Sequence, residues 1–241
     1  MKIAIIPARG GSKRIPRKNL KSFCGRPIIG YTISAALESG VFDRIIVTTD
    51  DKEIANVARG LGAEVPFVRP AELSNDNATT VPVIAHAIAW ASENWSPVEY
   101  ACCIYATAPF VSANDIREAY QRLVDDRVTG YVFSATSFPF PIQRAFRITS
   151  SGHCSMFQPQ HYNTRSQDLE EAFQDAGQFY WGSAQSYLSA KFFFSDDSKP
   201  FIIPRYRVQD IDTLQDWTRA EIMWRVLQES QVTQTSVKVN Q

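Results

Sequence analysis

Apolar positions follow two alternating rhythms along this chain: short unbroken runs, and stretches with a helical repeat. The first run, Ile3-Ala4-Ile5-Ile6 within residues 2–6, has no polar face and reads as a buried strand. A helical stretch opens at Pro27 and closes at Gly40, the residues that suit those two ends. Arg44-Ile45-Ile46-Val47-Thr48 predicts a second strand, and residues 51–61 set Ile54, Val57, Ala58 and Leu61 on one helical face. Glu64–Val68 reads as a short strand, 81–93 as an apolar helix and Tyr100–Tyr105 as another strand. Ser112 is placed to cap a helix that turns Ile116, Tyr120, Leu123 and Val124 inward, and Gly130–Ala135 is strand again.

Strands alternating with helices predict an α/β fold: a mostly parallel sheet, helices on both faces, and ligands gathered at the carboxyl ends of the strands. The rhythm breaks over residues 137–180, which hold Phe-Pro-Phe-Pro-Ile-Gln and many aromatics without a clear period. An irregular insertion of this kind suits a lid or a subunit contact. The pattern resumes with a strand at Gln178–Trp181, a helix near 183–190 and a strand at Pro200–Ile203. A last helix from Thr213 aligns Leu214, Trp217, Ala220, Trp224 and Leu227. Beyond Gln228 the periodicity stops. The expectation is one domain over residues 1–228, without internal repeats, and a frayed tail over 229–241.

Composition narrows the class. With 44% apolar and 21% charged residues among 241, the chain has the make-up of one large globular α/β domain. No apolar run reaches the roughly 20 residues of a membrane span, and no signal-peptide hydrophobic region opens the chain. Cys24, Cys102, Cys103 and Cys154 show no CxxC spacing. They read as reduced, buried thiols of a cytoplasmic protein rather than a metal site or disulfide framework.

Charge is where the chain departs from the ordinary. The 25 basic and 25 acidic residues cancel, yet the first 37 residues hold eight Lys or Arg and no acid. Arg9, Lys13, Arg14, Arg17 and Lys18 follow directly on the first strand, around Gly10 and Gly11. Glycines that let amides approach, with cations beside them, suit phosphate binding at a sheet edge. So local a field fits a small polyanion rather than a long nucleic acid, which needs a broad basic face. Five neighbouring cations would also repel one another unless an anion neutralised them. The spacing is neither a dinucleotide fingerprint nor a Walker A loop, since the glycines are adjacent and no Gly-Lys pair occurs.

The stretch Ile-Ile-Pro-Ala-Arg-Gly-Gly-Ser-Lys-Arg-Ile-Pro-Arg-Lys-Asn-Leu at 5–20 resembles the N-terminal signature of the CMP-sialic acid synthetase family of nucleotidyltransferases. Gly-Tyr-Thr-Ile-Ser-Ala-Ala at 30–36, Phe-Asp-Arg-Ile-Ile-Val-Thr-Thr-Asp at 42–50, Phe-Val-Arg-Pro-Ala-Glu-Leu at 67–73, Ala-Thr-Ala-Pro-Phe at 106–110 and Gln-Asp-Ile-Asp-Thr at 209–213 follow in the family's order. The likeness covers roughly residues 1–230. It implies a Rossmann-like nucleotidyltransferase with an irregular dimerisation insertion. It further implies that Arg9, Ser12, Lys13 and Lys18 surround the triphosphate of CTP, with Gly10 and Gly11 allowing close approach. Asn19 and Arg69 would hold the nucleoside, although Arg69 also reads as an ordinary surface cation.

Asp210 and Asp212, two apart on an extended segment, share one face and suit two oxygen ligands for Mg²⁺. The alternative is that Asp212 or Thr213 caps the last helix, with Thr213 and Asp216 as a capping box. Capping leaves Asp210 unexplained. At the sugar end, Tyr105 stands where sialic acid synthetases typically have Gln. Asp-Ala-Gly-Gln-Phe-Tyr-Trp-Gly at 175–182, Ile-Tyr-Ala-Thr-Ala-Pro-Phe at 104–110 and Thr-Arg-Ser-Gln-Asp-Leu at 164–169 resemble pseudaminic acid cytidylyltransferases. That resemblance points Tyr105, Arg165, Gln178 and Tyr180 at the sugar, Arg165 facing its carboxylate. An aromatic strand such as Phe179-Tyr180-Trp181 reads equally as core. His86, inside an apolar helix, reads as a packed structural histidine. Asp50 and Asp51 suit a helix cap and also the crevice at a strand end.

The implied reaction is cytidylyl transfer from CTP to an α-keto nine-carbon sugar acid, with pyrophosphate released and a homodimer as the working unit. Lys13, Lys18 and Arg9 would offset charge on the leaving group. The rivals are a sister enzyme using N-acetylneuraminate or legionaminate, a nucleotide-binding regulatory module, and a scaffold acting through residues 137–180.

Overall fold

A computed structural model describes residues 1–239, with side chains through Glu229. The tail expected over 229–241 therefore lies, past its first residue, outside the residues whose side chains are described.

Strand β1 (Lys2–Pro7) opens the chain. Two-residue strands β2 (Ser22–Phe23) and β3 (Arg26–Pro27) pair antiparallel below helix α1 (Ile29–Ser39). Pro27 thus ends a strand, and the helix begins two residues later than its pattern predicts. Gly40 closes α1 at φ 65°, a left-handed turn that glycine takes without strain. Strand β4 (Arg44–Thr48) and helix α2 (Lys52–Gly60) match their patterns. The strand expected at Glu64–Val68 is only a bridge between Glu64 and Ile46. Pro66 has no N–H to extend the ladder.

Helix α3 (Thr80–Asn94), strand β5 (Tyr100–Ile104), helix α4 (Ala113–Asp125) and strand β6 (Tyr131–Ser137) follow where predicted, except that Val124 of α4, expected inward, is exposed. The Ser112 hydroxyl accepts from the Asp115 amide at 3.1 Å and caps α4. Part of the irregular insertion is a hairpin of its own, β7 (Phe146–Ile148) with β8 (Cys154–Met156). Strand β9 (Phe173–Ser183) returns the chain to the sheet, starting five residues before its predicted position. Helix α5 (Ala184–Leu188), strand β10 (Lys199–Ile202) and helix α6 (Leu214–Val239) complete the order.

The main sheet runs β10-β6-β9-β5-β1-β4. Neighbouring strands are parallel except at β9, which lies antiparallel between β6 and β5. Its first half therefore reaches the carboxyl edge of the parallel strands, where ligands collect in such sheets. The β6–β9 ladder shifts register between Phe133 and Ala135. There Gly177 takes φ 62°, and the Ser134 hydroxyl accepts from the amides of Gln178 and Phe179, each at 3.1 Å.

Alternation along β1 divides the core between the two faces. Ala4 and Ile6 join Val47, Ile104 and Trp181 against Ile33, Ile54 and Ile116 of α1, α2 and α4. Ile3 and Ile5 join Cys103, Phe133 and Tyr180 against Ile84, Ile88 and Tyr187 of α3 and α5. A third cluster, Ile15, Phe23, Ile28, Tyr31, Phe110, Ile211, Trp217 and Ala220, lies off the sheet and joins the loop after β1 to the start of α6. All four cysteines are free. Cys102 and Cys103 are buried as expected, whereas Cys24 is half-buried and Cys154, on the protruding hairpin, is exposed. Among the described residues no helix is long and apolar enough to cross a membrane.

Candidate active site

The basic loop leaves β1 at Pro7 and folds back against the end of β4. The Gly10 amide donates to Asp50 Oδ1 at 3.0 Å. A Cβ on Gly10 would stand 3.0 Å from Asp51 Cβ and 2.8 Å from its Oδ2, so the approach requires glycine. Asp51 caps α2, accepting from the amides of Glu53 and Ile54 at 2.9 Å, and its carboxylate also takes Arg17 at 2.5 Å. Arg17 binds Glu53 as well and so is committed to the α2 terminus.

Arg9, Ser12, Lys13, Lys18, Asn19, Arg69, Tyr105 and Asp212 line one cavity of about 450 Å³ at the carboxyl ends of β1 and β5. Most of the expected phosphate and nucleoside residues meet there. Asn19 is buried and donates Nδ2 to the Arg9 carbonyl at 2.9 Å, so it shapes the loop as well as lining the cleft. Arg69 is no surface cation: it is 5% exposed, held by Ser74 Oγ at 3.2 Å from Nε. Its Nη2 lies 3.6 Å from Asp50 and, among the described residues, donates no hydrogen bond. Burial lowers the Arg69 pKa, and Asp50 opposes that shift. A buried guanidinium with a donor to spare is built to meet an acceptor.

The loop's charge is largely answered by the protein itself, contrary to the expectation that only a bound anion would neutralise it. Arg14 lies 3.0 Å and Lys18 3.6 Å from Asp212 Oδ1, while Arg9 and Lys13 share Asp76.

Asp212 is free for that contact because the capping falls to its neighbours. The Thr213 amide and hydroxyl each donate to Asp216 Oδ2 at 2.8 Å, and the Asp216 amide returns a bond of 3.2 Å to Thr213 Oγ1. This is the reciprocal capping box. Lys18 Nζ donates to the Ile211 carbonyl at 2.6 Å, tying the loop to the segment between the two aspartates. Asp210 stands beside the cleft rather than in its lining. Partial desolvation by neighbouring residues, although Asp210 stays exposed, and then the charge of Asp212 raise its pKa.

The sugar candidates divide. Tyr105 faces the cavity, its hydroxyl 3.3 Å from Thr80 Oγ1 and its ring 5.4 Å from that of Tyr180. Tyr180 is buried behind it and donates its hydroxyl to Asp175. Gln178 is also buried. Its Nε2 donates to the Arg207 carbonyl at 2.6 Å, while its Oε1 accepts no hydrogen bond among the described residues. Neither Gln178 nor Tyr180 lines the cavity. Arg165 does not reach it at all: it is exposed on the insertion and pairs with Asp168 at 3.2 Å.

Sequence reasoning missed Asp76, Thr80 and Asp175. The run Ser74-Asn75-Asp76-Asn77 is a turn signal just before a helix, and that signal could have placed Asp76 at the strand ends. Asp175 carried no such mark, because its partner Tyr180 becomes its neighbour only through the kink at Gly177.

Residues 3–219 match a family model described as cytidylyltransferase. The chain belongs to the cytidylyltransferase family. It is 44% identical to a pseudaminic acid cytidylyltransferase of Campylobacter jejuni, over 95% of this chain and 98% of that protein. A CMP-N,N'-diacetyllegionaminic acid synthase of Legionella pneumophila is 30% identical over 95% of the chain and 99% of that protein. The solved structure of a CMP:2-keto-3-deoxy-manno-octonic acid synthetase complexed with CTP shares the fold. Its TM-score is 0.68 at 15% identity, covering 95% of this chain and 99% of that one. The chain is thus a nucleotidyltransferase, and the basic loop, Arg69 and the aspartate segment are the parts of it that meet in one cleft.

Lys18 gives this site its sharpest test. Its ammonium faces the cavity, so Lys18→Ala should cost about 2–4 kcal/mol of transition-state stabilisation, roughly thirty- to nine-hundredfold in turnover. The fold should survive. Near-normal kcat at saturating CTP would remove Lys18 from the mechanism.

Proposed function

We propose that the protein transfers the cytidylyl group of CTP to pseudaminic acid, giving CMP-pseudaminic acid and pyrophosphate in a Mg²⁺-dependent reaction. The observation that carries this reading is the cleft itself, which Arg9, Lys13, Lys18 and Asp212 line together. The similarity to pseudaminic acid cytidylyltransferases supports the choice of sugar.

The sugar's anomeric hydroxyl attacks the α-phosphorus and pyrophosphate leaves, so the protein's work is positioning and charge stabilisation. Arg9 and Lys13, at the mouth, are placed for the outer phosphates. Lys18, held by the Ile211 carbonyl, is placed deeper. Arg69 Nη2 offers its spare donor to the nucleoside, and Asn19 keeps the Arg9 backbone in place. No protein nucleophile is required.

Asp210 and Asp212 fit a magnesium ion. Their adjacent charges disfavour each other, and the capping box leaves both carboxylates free of capping, although Asp212 also pairs with Arg14 and Lys18. No group of three or more acidic, His or Cys side chains suited to a metal occurs among the described residues, so substrate oxygens must complete the shell, as Mg²⁺ sites commonly allow. When bound, the ion supplies positive charge to the phosphate oxygens.

Exposed aromatics on the insertion support a homodimer. Phe140 is 79%, Phe157 62% and Phe146 59% exposed, more apolar surface than a protruding hairpin carries alone. A second copy would cover it and could bring Arg165 to a neighbouring cleft. The cytoplasm, where an exposed Cys154 stays a thiol, is the setting we assign.

Asp210→Asn and Asp212→Asn should each raise the Mg²⁺ concentration needed for half-maximal rate, because an amide keeps the oxygen and loses the charge. Asp216→Asn should instead lower thermal stability by about 1 kcal/mol and leave the Mg²⁺ requirement unchanged. If Asp212→Asn only destabilised the fold, the metal assignment would fail.

Light scattering should show two copies at micromolar concentration. A fully active monomer would refute the dimer.

The sugar is tested by kcat/KM with CTP and a panel of nonulosonic acids. Pseudaminic acid should exceed N-acetylneuraminic acid by well over tenfold. A methyl in an apolar pocket is worth about 1–3 kcal/mol, and hydroxyls of the wrong sugar left unmatched beside Tyr105 add to that. Equal values, or a preference for neuraminate or legionaminate, would overturn the sugar assignment and leave cytidylyl transfer standing.

A further inference from the structure

Asp76 sits on the phosphate-facing cations themselves. Its Oδ1 is 2.8 Å from Arg9 Nη1 and its Oδ2 2.5 Å from Lys13 Nζ, so a single carboxylate spans two cations, as two oxygens of a phosphate group would. The placement is built by the chain around it. Asn75 Oδ1 accepts from the amides of Asn77 and Ala78 at 2.8 and 3.0 Å, and its Nδ2 donates to the Glu72 carbonyl at 2.9 Å. That turn aims Asp76 across the mouth of the cleft. Asp76 and Lys13 are also well exposed, at 48% and 78% of their side chains. Water screens such pairs and makes each of them weak. A ligand with several negative charges can therefore displace the carboxylate, and it will bind more weakly by whatever the displacement costs.

Building on the proposed cytidylyl transfer, we infer that Asp76 is an internal competitor for the outer phosphates of the nucleotide and for the pyrophosphate that leaves. The carboxylate holds Arg9 and Lys13 ready, yields to CTP, and returns to the same two cations as pyrophosphate departs. It limits product inhibition. CMP has no outer phosphates, so its binding is independent of Asp76.

The test is inhibition by inorganic pyrophosphate, together with CTP and CMP binding, in wild type, Asp76→Asn, Asn75→Ala and Glu72→Gln. Losing two screened ion pairs should tighten pyrophosphate and CTP binding about five- to tenfold in Asp76→Asn, with CMP unchanged. Asn75→Ala, which loosens the turn and keeps the charge, should act in the same direction by less. It carries the test if Asp76→Asn does not fold. Glu72→Gln removes a charge from the same loop without touching the cations and should change pyrophosphate binding less than twofold. Weaker or unaltered pyrophosphate binding in Asp76→Asn would overturn the inference, as would an equal effect from Glu72→Gln. Wild-type turnover of CTP with the sugar is the separate control, and its absence would count against the proposed function.

Discussion

The cleft depends on an apolar contact between two ends of the chain. Ile15, from the middle of the basic loop, and Ile211, from between the two aspartates, are buried in one cluster with Phe23, Tyr31 and Trp217. Burying each isoleucine is worth about 1.5–3 kcal/mol, and edge-to-face packing of Phe23 on Tyr31 and Trp217, at 5.5 and 5.6 Å, fixes the geometry. Each flanking residue then has little choice. Lys18 meets the Ile211 carbonyl, Arg14 meets Asp212, and opposite charges are drawn together along one wall of the cleft. The polar groups alone would not make this arrangement, because exposed ion pairs are too weak to order two loops.

Charge placement follows from that frame. Read along the sequence, Arg9, Lys13, Arg14, Arg17 and Lys18 look like one block of positive charge. In space they divide among Asp76, Asp212, Asp51 and Glu53. Each cation has an internal partner, but the partners differ in what they permit. Arg17 is spent on the α2 terminus. Arg9 and Lys13 are paired at the solvent-facing mouth, where exchange for a ligand costs little. A loop so basic in composition can therefore fold without a bound anion.

Local signals carried most of the architecture. The apolar run of β1, the Gly40 and Ser112 caps and the Thr213–Asp216 box each rest on neighbours in sequence, and each is where its pattern placed it. What the pattern could not show is set by partners far along the chain. Strand direction leaves no mark in alternation, so β9 read as a strand without revealing that it is antiparallel. The alternative that Arg69 is an ordinary surface cation stayed open in the sequence, because its burial is set by partners such as Asp50 and Ser74 that lie apart from it in the pattern. Arg165 was pointed at the sugar by resemblance alone, and within a single chain nothing pulls the exposed insertion toward the cleft.

The antiparallel strand also separates chemistry from recognition. The groups proposed to face phosphate hang from β1, from the loop before α3 and from the lead into α6, whereas the wall behind Tyr105 comes from β9. Gln178 offers its carbonyl to the Tyr105 amide at 2.9 Å, and Tyr180 backs the Tyr105 ring, so β9 sets how that tyrosine stands. Ser134 and the left-handed Gly177 hold the register shift that brings Asp175 to the Tyr180 hydroxyl. Changes along this strand can reshape the pocket for the acceptor while Lys18, Asp212 and the cap of α6 keep their geometry. Because β9 and the basic loop share no backbone segment, under the proposed reading the acceptor side can change while the phosphate side keeps its geometry.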